Sequence, residues 1–339
     1  MAVHIFTRDL RVKDNNSLNE LAKQNLDIYP VFIFTPTQVK NNNYKSDNAI
    51  QFMVESLKNL HIETNETLGL FYGSFQNIVN DIIKKNNPSA MSITKDYTPF
   101  AIERETALKK ICYENEIRCI ITEDYCLNPP GSMRMYQKYT PYKNVASINI
   151  NKKIKKPTTR KATFLNVNGN FSFKKASLLY TNNTKLNKNG GRFIGLNQLK
   201  ILNEQKDYDN TRNLLIHNTT ELSAFIKFGC LSIREVYFAI KKKFGASCGL
   251  INQLIWRDFY FQLGVGFPKV LHGEPLKEKY INIKWENDIK KFNLWKSGNT
   301  GYPIVDAGMK QLNATGFMHN RARLITVSYT HLTLPTKRI

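Results

Sequence analysis

The side chains best suited to chemistry lie towards the end of the chain. Asn320 and Arg323 stand three positions apart, which places an amide and a guanidinium on one face of a helix. The preceding pattern predicts a helix that ends at Gly316, so the stretch 300–324 is expected to form a helical hairpin. Buried polar groups need a partner. A bound cofactor would supply one, whereas an ordinary hairpin would leave the arginines in solvent.

Three hydroxyl side chains, Thr219, Thr220 and Ser223, stand where the chain enters a predicted helix. Side-chain oxygens, together with the free backbone N–H groups of a helix N-terminus, can bind a phosphate group. A plain helix cap uses the same residue types. The residues alone leave both interpretations open.

An aromatic platform is predicted in the segment 252–260. Gln253, Trp256 and Tyr260 fall on one face of a helix, and Arg257 lies beside them. Aromatic rings with an amide and a cation suit a flat, unstacked nucleobase. A core tryptophan with an extended arginine would give the same pattern.

The elements that must position these groups fall into two classes. The first part of the chain alternates apolar runs with helix-like segments, which predicts a parallel sheet covered on both faces. The expected strands are Val3–Phe6, Ile28–Phe34, Leu68–Tyr72, Ala90–Thr94 and Ile117–Thr122, and the expected helices are Ser17–Gln24, Asn48–Leu60, Phe75–Lys85 and Phe100–Glu114. After Gly191 helical spacing continues to the end, so the second domain is predicted to be mainly α-helical.

The first strand opens into the polar segment Thr7–Asn15. No glycine-rich dinucleotide motif or P-loop follows it, so these two classes of nucleotide site have no support here. Parallel sheets bind ligands at the carboxyl ends of their strands. A ligand site and a salt-bridged surface loop are both consistent with this segment.

The length and net charge of the chain limit the classes of protein to which it can belong. The chain has 339 residues, which favours two domains, and a formal net charge of +22, which favours a polyanionic partner such as nucleic acid. The five cysteines form no C-x-x-C pair and fit no zinc or iron–sulfur pattern, so reduced and mostly buried thiols are expected. No apolar run has the length of a membrane span and no signal peptide is evident, so an intracellular location is expected.

A connector is expected between the two domains. Pro129 and Pro130 break the alternation of strands and helices. Runs of like charge repel and are usually disordered, so the basic run that follows is predicted to be a solvated linker. Its members are Lys152, Lys153, Lys155, Lys156, Arg160 and Lys161. The expected division is 1–128, 129–190 and 191–328, with a tail at 329–339.

Four motifs in order resemble those of the DNA photolyase/cryptochrome flavoproteins. They are Thr7–Arg11 with Asp14–Asn15, Thr219–Ser223 with Phe228–Ser232, Trp256–Tyr260, and the stretch 300–324. The resemblance covers nearly the whole chain and implies a Rossmann-like α/β domain followed by an all-helical domain that binds FAD. It also implies a monomer that acts on UV-damaged DNA, with light driving the repair.

The resemblance assigns roles to residues of these motifs. Those expected to hold FAD are Tyr208, Thr219, Thr220, Leu222, Ser223, Arg257, Asn320 and Arg323. Those expected to contact DNA are Arg212, Gln253, Trp256, Tyr260, Asn320 and Arg321, with Trp256 stacked on a flipped lesion. Catalytic roles are expected for Gln253, Trp256 and Asn320. Trp285 matches the outermost member of the family's electron-transferring tryptophan chain.

Three positions bear on the branch of the family. Acid–base work on (6-4) lesions needs a histidine pair, and Asn320 and Leu324 stand at the matching positions. Repair of (6-4) lesions is therefore not expected. The sequence His319–Arg321 instead resembles class I cyclobutane pyrimidine dimer photolyases and plant-type cryptochromes, and the chain as a whole is most like the class I photolyases. Gln253 replaces the glutamate that most of those enzymes carry, and an amide can still bond a thymine edge. A cryptochrome-like blue-light receptor without repair activity and an inactive truncated DNA-binding fragment are the alternatives.

Two regions depart from the family pattern. Phe100 and Ala101 stand where folate-binding members carry an Asn-Glu pair, so the identity of a second, antenna chromophore is left open. The residues after Ser328 match nothing expected there, whereas family members continue with groups that face the flavin and with two further tryptophans. The sequence is therefore interpreted as C-terminally truncated, with an incomplete FAD-binding domain.

Overall fold

A five-stranded parallel sheet forms the first part of the protein. The computed structural model describes residues 1–40, 42–284 and 287–332, and of residues 330–332 only the backbone. The strands are β1 (Ala2–Phe6), β2 (Ile28–Phe34), β3 (Gly69–Tyr72), β4 (Ala90–Thr94) and β5 (Arg118–Thr122), in the order β3-β2-β1-β4-β5. The predicted α/β architecture is confirmed, with each strand within one residue of its expected ends.

Helices cover the sheet and then make up the second half of the chain. In order they are α1 (Asn16–Ala22), α2 (Pro36–Val39), α3 (Asp47–Glu63), α4 (Phe75–Asn86), α5 (Pro99–Glu114), α6 (Tyr139–Lys153), α7 (Phe173–Ala176), α8 (Arg192–Lys200), α9 (Tyr208–Thr211), α10 (Ser223–Lys227), α11 (Ile233–Phe244), α12 (Gly249–Gly266), α13 (Ile289–Ser297), α14 (Pro303–Thr315) and α15 (Asn320–Leu332). Within the described residues, none of these helices has both the length and the apolar character needed to cross a membrane.

Both faces of the sheet are buried, and each packs into its own apolar cluster. In β1, Val3 and Ile5 belong to one apolar cluster, while Ala2 and Phe6 belong to another. Successive side chains of a strand point to opposite faces. Every residue of β1 is buried, as expected for a central parallel strand that helices cover on both sides.

The connector is ordered, which differs from the predicted solvated linker. Helix α6 extends through Lys153, and the residues beyond it are hydrogen-bonded to the α/β domain. Thr158 N donates to Asp14 Oδ1 (2.9 Å), and Arg160 N donates to Asn19 Oδ1 (2.8 Å). Buried carboxylate and amide oxygens need donors. The hydrogen bonds from the connector to these oxygens stabilise it more than repulsion between its solvated lysine side chains destabilises it.

The same connector also completes the edge of the sheet. Phe164 forms a parallel bridge with Ile28 of β2, and Phe171 N donates to Leu70 O of β3 (3.1 Å). Gly169 approaches β3 so closely that a Cβ atom there would stand 1.9 Å from Leu70 O. Residues that follow α6 therefore belong, by their hydrogen bonds, to the sheet.

A buried ionic cluster joins the α/β domain to α11. The Arg234 guanidinium donates to Asp14 Oδ2 (2.9 Å) and to Asp124 Oδ1 (2.6 Å), and Arg11 pairs with Asp124 as well. Ser232, which caps α11, donates to Asp14. Buried charges need such partners because desolvation otherwise makes the ionised forms costly. The cluster fixes the start of α11 against the carboxyl ends of the strands.

Helix α12 lies at the centre of the helical part, and a hairpin of α14 and α15 follows it. Leu250, Ile251 and Ile255 of α12 are buried in the larger apolar cluster. Helix α14 ends at Gly316, which adopts a left-handed conformation (φ 70°) that a side chain would strain. The predicted order of helix, glycine stop and second helix is confirmed.

Candidate functional site

A cavity of about 330 Å³ lies among α9, α11, α12 and the start of α15. Aliphatic side chains of α11 and α12 form its apolar wall, among them Val236, Ile240 and Leu254. Ten of the residues singled out in the sequence line it: Tyr208, Arg212, Thr219, Thr220, Leu222, Ser223, Gln253, Asn320, Arg321 and Arg323. The structure therefore brings three motifs that are distant in sequence to one cavity.

The segment that carries Thr219, Thr220 and Ser223 lines this cavity, and only a short helix follows it. Helix α10 has five residues, and its N-cap residue Leu222 makes no side-chain cap. Glu221 adopts a positive φ of 50°, which turns the chain just before α10. A helix begins at Ser223, as predicted, but it is only five residues long. Thr219 and Thr220 line the cavity from an irregular segment, so their hydroxyls rather than a helix dipole are the groups offered to a ligand.

The cavity carries an excess of positive charge. Arg212, Arg321 and Arg323 line it. Glu221 lines it too, but its carboxylate is already paired with Lys188 (Nζ–Oε2, 2.9 Å). Guanidinium groups bind phosphate oxygens through charge-assisted hydrogen bonds. A ligand with a pyrophosphate group suits this charge.

The three arginines are held in different ways. Arg321 Nε donates to Asn213 Oδ1 (2.7 Å), and Arg323 Nε donates to Met318 O (2.9 Å). Arg212 Nε is buried and has no hydrogen-bond partner in the described part of the chain. Leaving a buried donor unpaired costs about 1–3 kcal/mol. The orphaned N–H and the neighbouring hydroxyls therefore fit the phosphate and hydroxyl oxygens of FAD.

Two amides face the same cavity. Gln253 on α12 and Asn320 at the start of α15 both line it. Their side chains make no hydrogen bond to any residue that the structure describes. An amide offers both a donor and an acceptor. The pair can therefore bind a ligand that presents alternating donors and acceptors, such as the edge of a pyrimidine.

Trp256 lies outside the lining of this cavity, in a stack of rings. Its indole is parallel to the ring of Tyr139 (centroids 3.5 Å apart, interplanar angle 8°) and is inclined by 26° to Tyr260 at 5.8 Å. Tyr139 OH donates to Asn252 O (3.0 Å). Sequence reasoning missed Tyr139, because a contact between α6 and α12 leaves no local pattern. Stacking of a lesion on Trp256 stays a prediction, and Tyr139 already covers one face of the indole.

Arg257 points away from the cavity, towards the junction of the two domains. Its Nη1 donates to Tyr125 O (2.5 Å). Its guanidinium carbon lies 4.3 Å from the ring centroid of Tyr125 and 5.0 Å from that of Phe261. Two aromatic faces and a carbonyl attract the cation to this place. Arg257 therefore does not line the cavity, and its contact with the flavin stays a prediction.

The tryptophan predicted to carry electrons, Trp285, lies outside the described residues. Its role stays a prediction. Trp295 on α13 is described: its Nε1 donates to Thr326 O (3.0 Å), and its ring packs against the hairpin of α14 and α15. Trp295 therefore has a structural role that ties α13 to the hairpin.

A larger cavity, of about 870 Å³, lies at the carboxyl ends of the strands. Thr7 and Arg8 line it from the segment after β1, and Phe100 and Ala101 line it from the start of α5. This is the edge at which parallel sheets bind ligands. The beginning of the segment Thr7–Asn15 therefore faces a potential ligand site.

The rest of that segment is structural. Asp9 is buried, accepts hydrogen bonds from Thr94 (2.8 Å) and Asn15 (3.0 Å), and lies 3.0 Å from His4 Nε2. Burial alone would raise the pKa of Asp9. The attraction of His4 and the hydrogen bonds outweigh that effect and hold the pKa of this carboxyl well below its usual range. The two sequence interpretations thus apply to different residues of one segment.

Cations are also concentrated in the larger cavity. Arg8 Nη1 donates to Asp96 Oδ1 (3.3 Å), whereas Arg104 Nε is buried without a partner among the described residues. Burial lowers the pKa of Arg104. Burial and the neighbouring Arg8 lower the pKa of Lys227, which also lines the cavity, to about 8. Arg8, Arg104 and Lys227 outnumber the carboxylate of Asp96 among the described residues that line this cavity, so an anionic ligand is favoured.

The cysteines take no part in either cavity. Within the described ranges, no group of three or more His, Cys, Asp or Glu side chains could hold a metal ion. All of the cysteines are free thiols: Cys112, Cys126 and Cys230 are buried, and Cys119 and Cys248 are partly exposed. The prediction of mostly buried thiols is confirmed.

Comparison with known sequences matches both parts of the chain. Residues 2–159 match the family model described as DNA photolyase, and residues 250–337 match the model described as the FAD binding domain of DNA photolyase. A deoxyribodipyrimidine photo-lyase of Buchnera aphidicola subsp. Acyrthosiphon pisum (strain APS) is 30% identical over 354 residues, which cover 96% of this chain and 72% of that protein. Cryptochrome-1 of Rattus norvegicus is 27% identical, over 95% of this chain and 60% of that protein.

Solved structures lead to the same family. An archaeal photolyase from Sulfolobus tokodaii, solved with two FAD molecules, superposes with a TM-score of 0.83 at 33% identity, over 97% of this chain and 74% of that one. The matched FAD-binding domain and the cavity described above agree in assigning FAD as the cofactor. The chain belongs to the DNA photolyase/cryptochrome family, as the sequence motifs predicted.

Proposed function

We propose that this protein is a light-driven repair flavoprotein that splits cyclobutane pyrimidine dimers in UV-damaged DNA. One observation carries the proposal. Gln253 and Asn320, whose amides can bond a pyrimidine edge, line the same cavity as the groups expected to hold FAD. Electron transfer needs donor and acceptor close together, and a shared cavity would supply this. Relatives named deoxyribodipyrimidine photo-lyase support the assignment.

The residues of the cavity would bind and shield the reacting groups. Bound FAD in its reduced form would supply the light-excited electron. The hydroxyls of Thr219 and Thr220 would bind its oxygens, and Arg212 Nε would donate to one of them. The aliphatic wall, which includes Val236 and Ile240, would exclude water from the cavity.

The positions of histidines bear on the class of lesion that the cavity can repair. Repair of (6-4) lesions calls for an imidazole that transfers a proton to the lesion. No histidine is among the described residues that line the FAD cavity. His319 is buried, its Nδ1 accepts from Arg321 N (3.1 Å), and burial and the charge of Arg321 lower its pKa. The cavity therefore suits cyclobutane dimers, whose splitting needs no such proton transfer.

Repair can be tested directly with a dimer-containing oligonucleotide. The protein, loaded with FAD and reduced, is irradiated with blue light, and loss of dimers is followed by the recovery of pyrimidine absorbance. We expect dimers to disappear in the light and to persist in the dark. Gln253→Leu should slow repair without lowering the FAD content, because it removes an amide from the lesion side of the cavity. Gln311→Leu, at an exposed position on α14, is the matched control.

Two other outcomes correspond to the alternative functions. A cryptochrome-like receptor would bind FAD and respond to light but leave the dimers intact; relatives named cryptochrome-1 favour this alternative. An inactive DNA-binding fragment would purify without FAD. Intact dimers after irradiation of the FAD-loaded protein would contradict the proposed repair activity.

We also propose that the larger cavity binds a second chromophore. Arg8, Arg104 and Lys227 line it, and Asp96 is a carboxylate among them, so an anionic aromatic ligand fits its charge and its apolar side chains. The Sulfolobus tokodaii photolyase was solved with two FAD molecules, which implies a novel light-harvesting cofactor in that protein. That relative supports the same role for this cavity.

A further inference from the structure

Two basic helix ends lie side by side on the surface. Helix α6 ends with Lys152 and Lys153, and α11 carries Lys241–Lys243 in its last turn. Asn151 joins the two ends, since its Oδ1 accepts from Tyr237 OH (3.2 Å) and from Lys241 Nζ (3.5 Å). Basic residues that are far apart in sequence therefore meet at one place.

The basic run that follows α6 is fixed along α11 at both of its ends. Asn151 accepts hydrogen bonds from Tyr237 and Lys241 near the end of α11. Further along the chain, Thr158 N donates to Asp14 Oδ1 (2.9 Å), and Asp14 accepts from Arg234 Nε (2.9 Å) in the first turn of α11. Two turns of helix span about 10 Å. Residues 151–158 therefore run beside α11 from its last turns back to its first.

We call this surface the connector ridge. It consists of Lys152, Lys153, Lys155, Lys156, Lys241 and Lys242, of which all but Lys241 are exposed. None of the six forms an ion pair with a carboxylate in the part of the chain that the structure describes. Lysines in a last helical turn offset the helix dipole. The helix dipole does not account for Lys155 and Lys156, because they lie beyond the end of α6.

Helix α11 separates the connector ridge from the FAD cavity. Val236 and Ile240 line the cavity, whereas Tyr237 and Lys241 face the connector. Successive residues of a helix point about 100° apart, and a helix with its side chains is about 10–12 Å across. The connector ridge is thus a separate surface on another face of α11, outside the cavity.

We propose that the connector ridge binds the phosphate backbone of duplex DNA, without regard to lesion or sequence. Duplex DNA carries one negative charge for about every 1.7 Å of its axis, so a row of lysines about 10 Å long faces several phosphates. Because hydrogen bonds already order the backbone of this row, little conformational entropy is lost on binding. The proposal goes beyond repair, because it needs neither flavin nor light.

Binding of an undamaged fluorescent duplex in the dark tests the proposal. Fluorescence anisotropy gives the affinity of the 339-residue chain at a series of NaCl concentrations. The test variant combines Lys152→Gln, Lys153→Gln, Lys155→Gln and Lys156→Gln. Each lost phosphate contact should make the slope of log K against log salt shallower by about 0.9, so we expect a change of about 3–4.

A control variant of equal charge separates local binding from net charge. It combines Lys84→Gln, Lys85→Gln, Lys174→Gln and Lys175→Gln, at exposed positions on α4 and α7. We expect this variant to keep the slope of the unmodified protein. Equal changes in the two variants, or an unchanged slope in the test variant, would overturn the proposal. A loss of affinity for RNA but not for the DNA duplex would overturn it as well.

Discussion

Two partly exposed arginines, each with a buried Nε atom, distinguish the two cavities at the level of single side chains. Arg212 lines the cavity assigned to FAD, and Arg104 lines the larger cavity at the carboxyl ends of the strands. The Nε–H of each is buried without a partner in the described ranges. A hydrogen bond between a charged group and a ligand contributes about 1.5–3 kcal/mol. Each arginine is therefore expected to bind the ligand of its own cavity.

Replacing each arginine should release one chromophore and not the other. Arg212→Met is expected to lower the affinity for FAD about 10-fold or more, because a hydrogen bond to a charged donor is lost. Arg104→Met is expected to lower the content of the second chromophore and to leave FAD in place. The measurement is the amount of each chromophore per protein, released by denaturation and separated by chromatography. Each variant is the control for the other, and equal loss of FAD from both would contradict the assignment.

At the scale of elements, the turn between α10 and α11 has almost no free space. Gly229 in this turn has a φ of 70°, and a Cβ atom there would stand 2.0 Å from Arg8 O. The neighbouring Phe228 O accepts from Leu10 N (3.1 Å). The helical part is thus in backbone contact with the segment that follows β1. The close approach requires glycine for its missing side chain as well as for its conformation.

A glycine-to-alanine pair separates these two requirements. Gly229→Ala should lower the free energy of unfolding by about 3–5 kcal/mol, because the methyl group meets backbone that cannot move aside. Gly273→Ala is the matched control: its φ is 90°, no atom lies within 4 Å of the added Cβ, and only the backbone strain of about 1–2 kcal/mol applies. Denaturant unfolding of both variants gives the comparison. Equal losses would show that the contact with Arg8 is unimportant.

The sequence predicted secondary-structure elements where its apolar residues recur at the spacing of a strand or a helix. The strands and the hairpin around Gly316 follow from alternation, helical spacing and a glycine stop. Helix α6 was missed because its lysines and asparagines suggested a solvated linker, and Tyr139 was missed with it. The site was predicted from the motifs shared with the family, and ten of the predicted residues line one cavity. Spacing alone left both a structural and a functional interpretation of each motif open. The contact of Arg257 with Tyr125 could not be predicted, because Tyr125 lies far away in sequence.

At the scale of the whole molecule, one buried carboxyl links domain docking to pH. Asp258 of α12 is fully buried, and its Oδ2 accepts from Asn128 N (2.8 Å) at the end of the α/β domain. Its Oδ1 has no hydrogen-bond partner among the described residues, and Arg257 Nη1 is 3.5 Å away. Burial raises the pKa of Asp258 to about 7, with Arg257 opposing the shift and Glu123 adding to it.

The raised pKa of Asp258 predicts a loss of stability as pH rises. Between about pH 4 and 7 the folded protein keeps a proton that the unfolded chain releases, so the free energy of unfolding falls across this range. From pH 5 to 8 we expect Asp258→Asn to lose about 2–3 kcal/mol less than the unmodified protein. Asp81→Asn, exposed on α4, should keep the original dependence. Denaturant titrations at the two pH values give the comparison, and identical dependence in all three proteins would refute the link.

The hydrogen bonds between the connector and the sheet have a consequence for protein synthesis. All five strands leave the ribosome before residues 163–171, which supply the remaining partners of β2 and β3. Until then the nascent sheet presents open backbone groups at its edge, and open edges pair with other chains. Completion of the first domain therefore lags behind translation of its last strand by the length of the intervening chain. During that delay the open edge makes the growing polypeptide prone to aggregation.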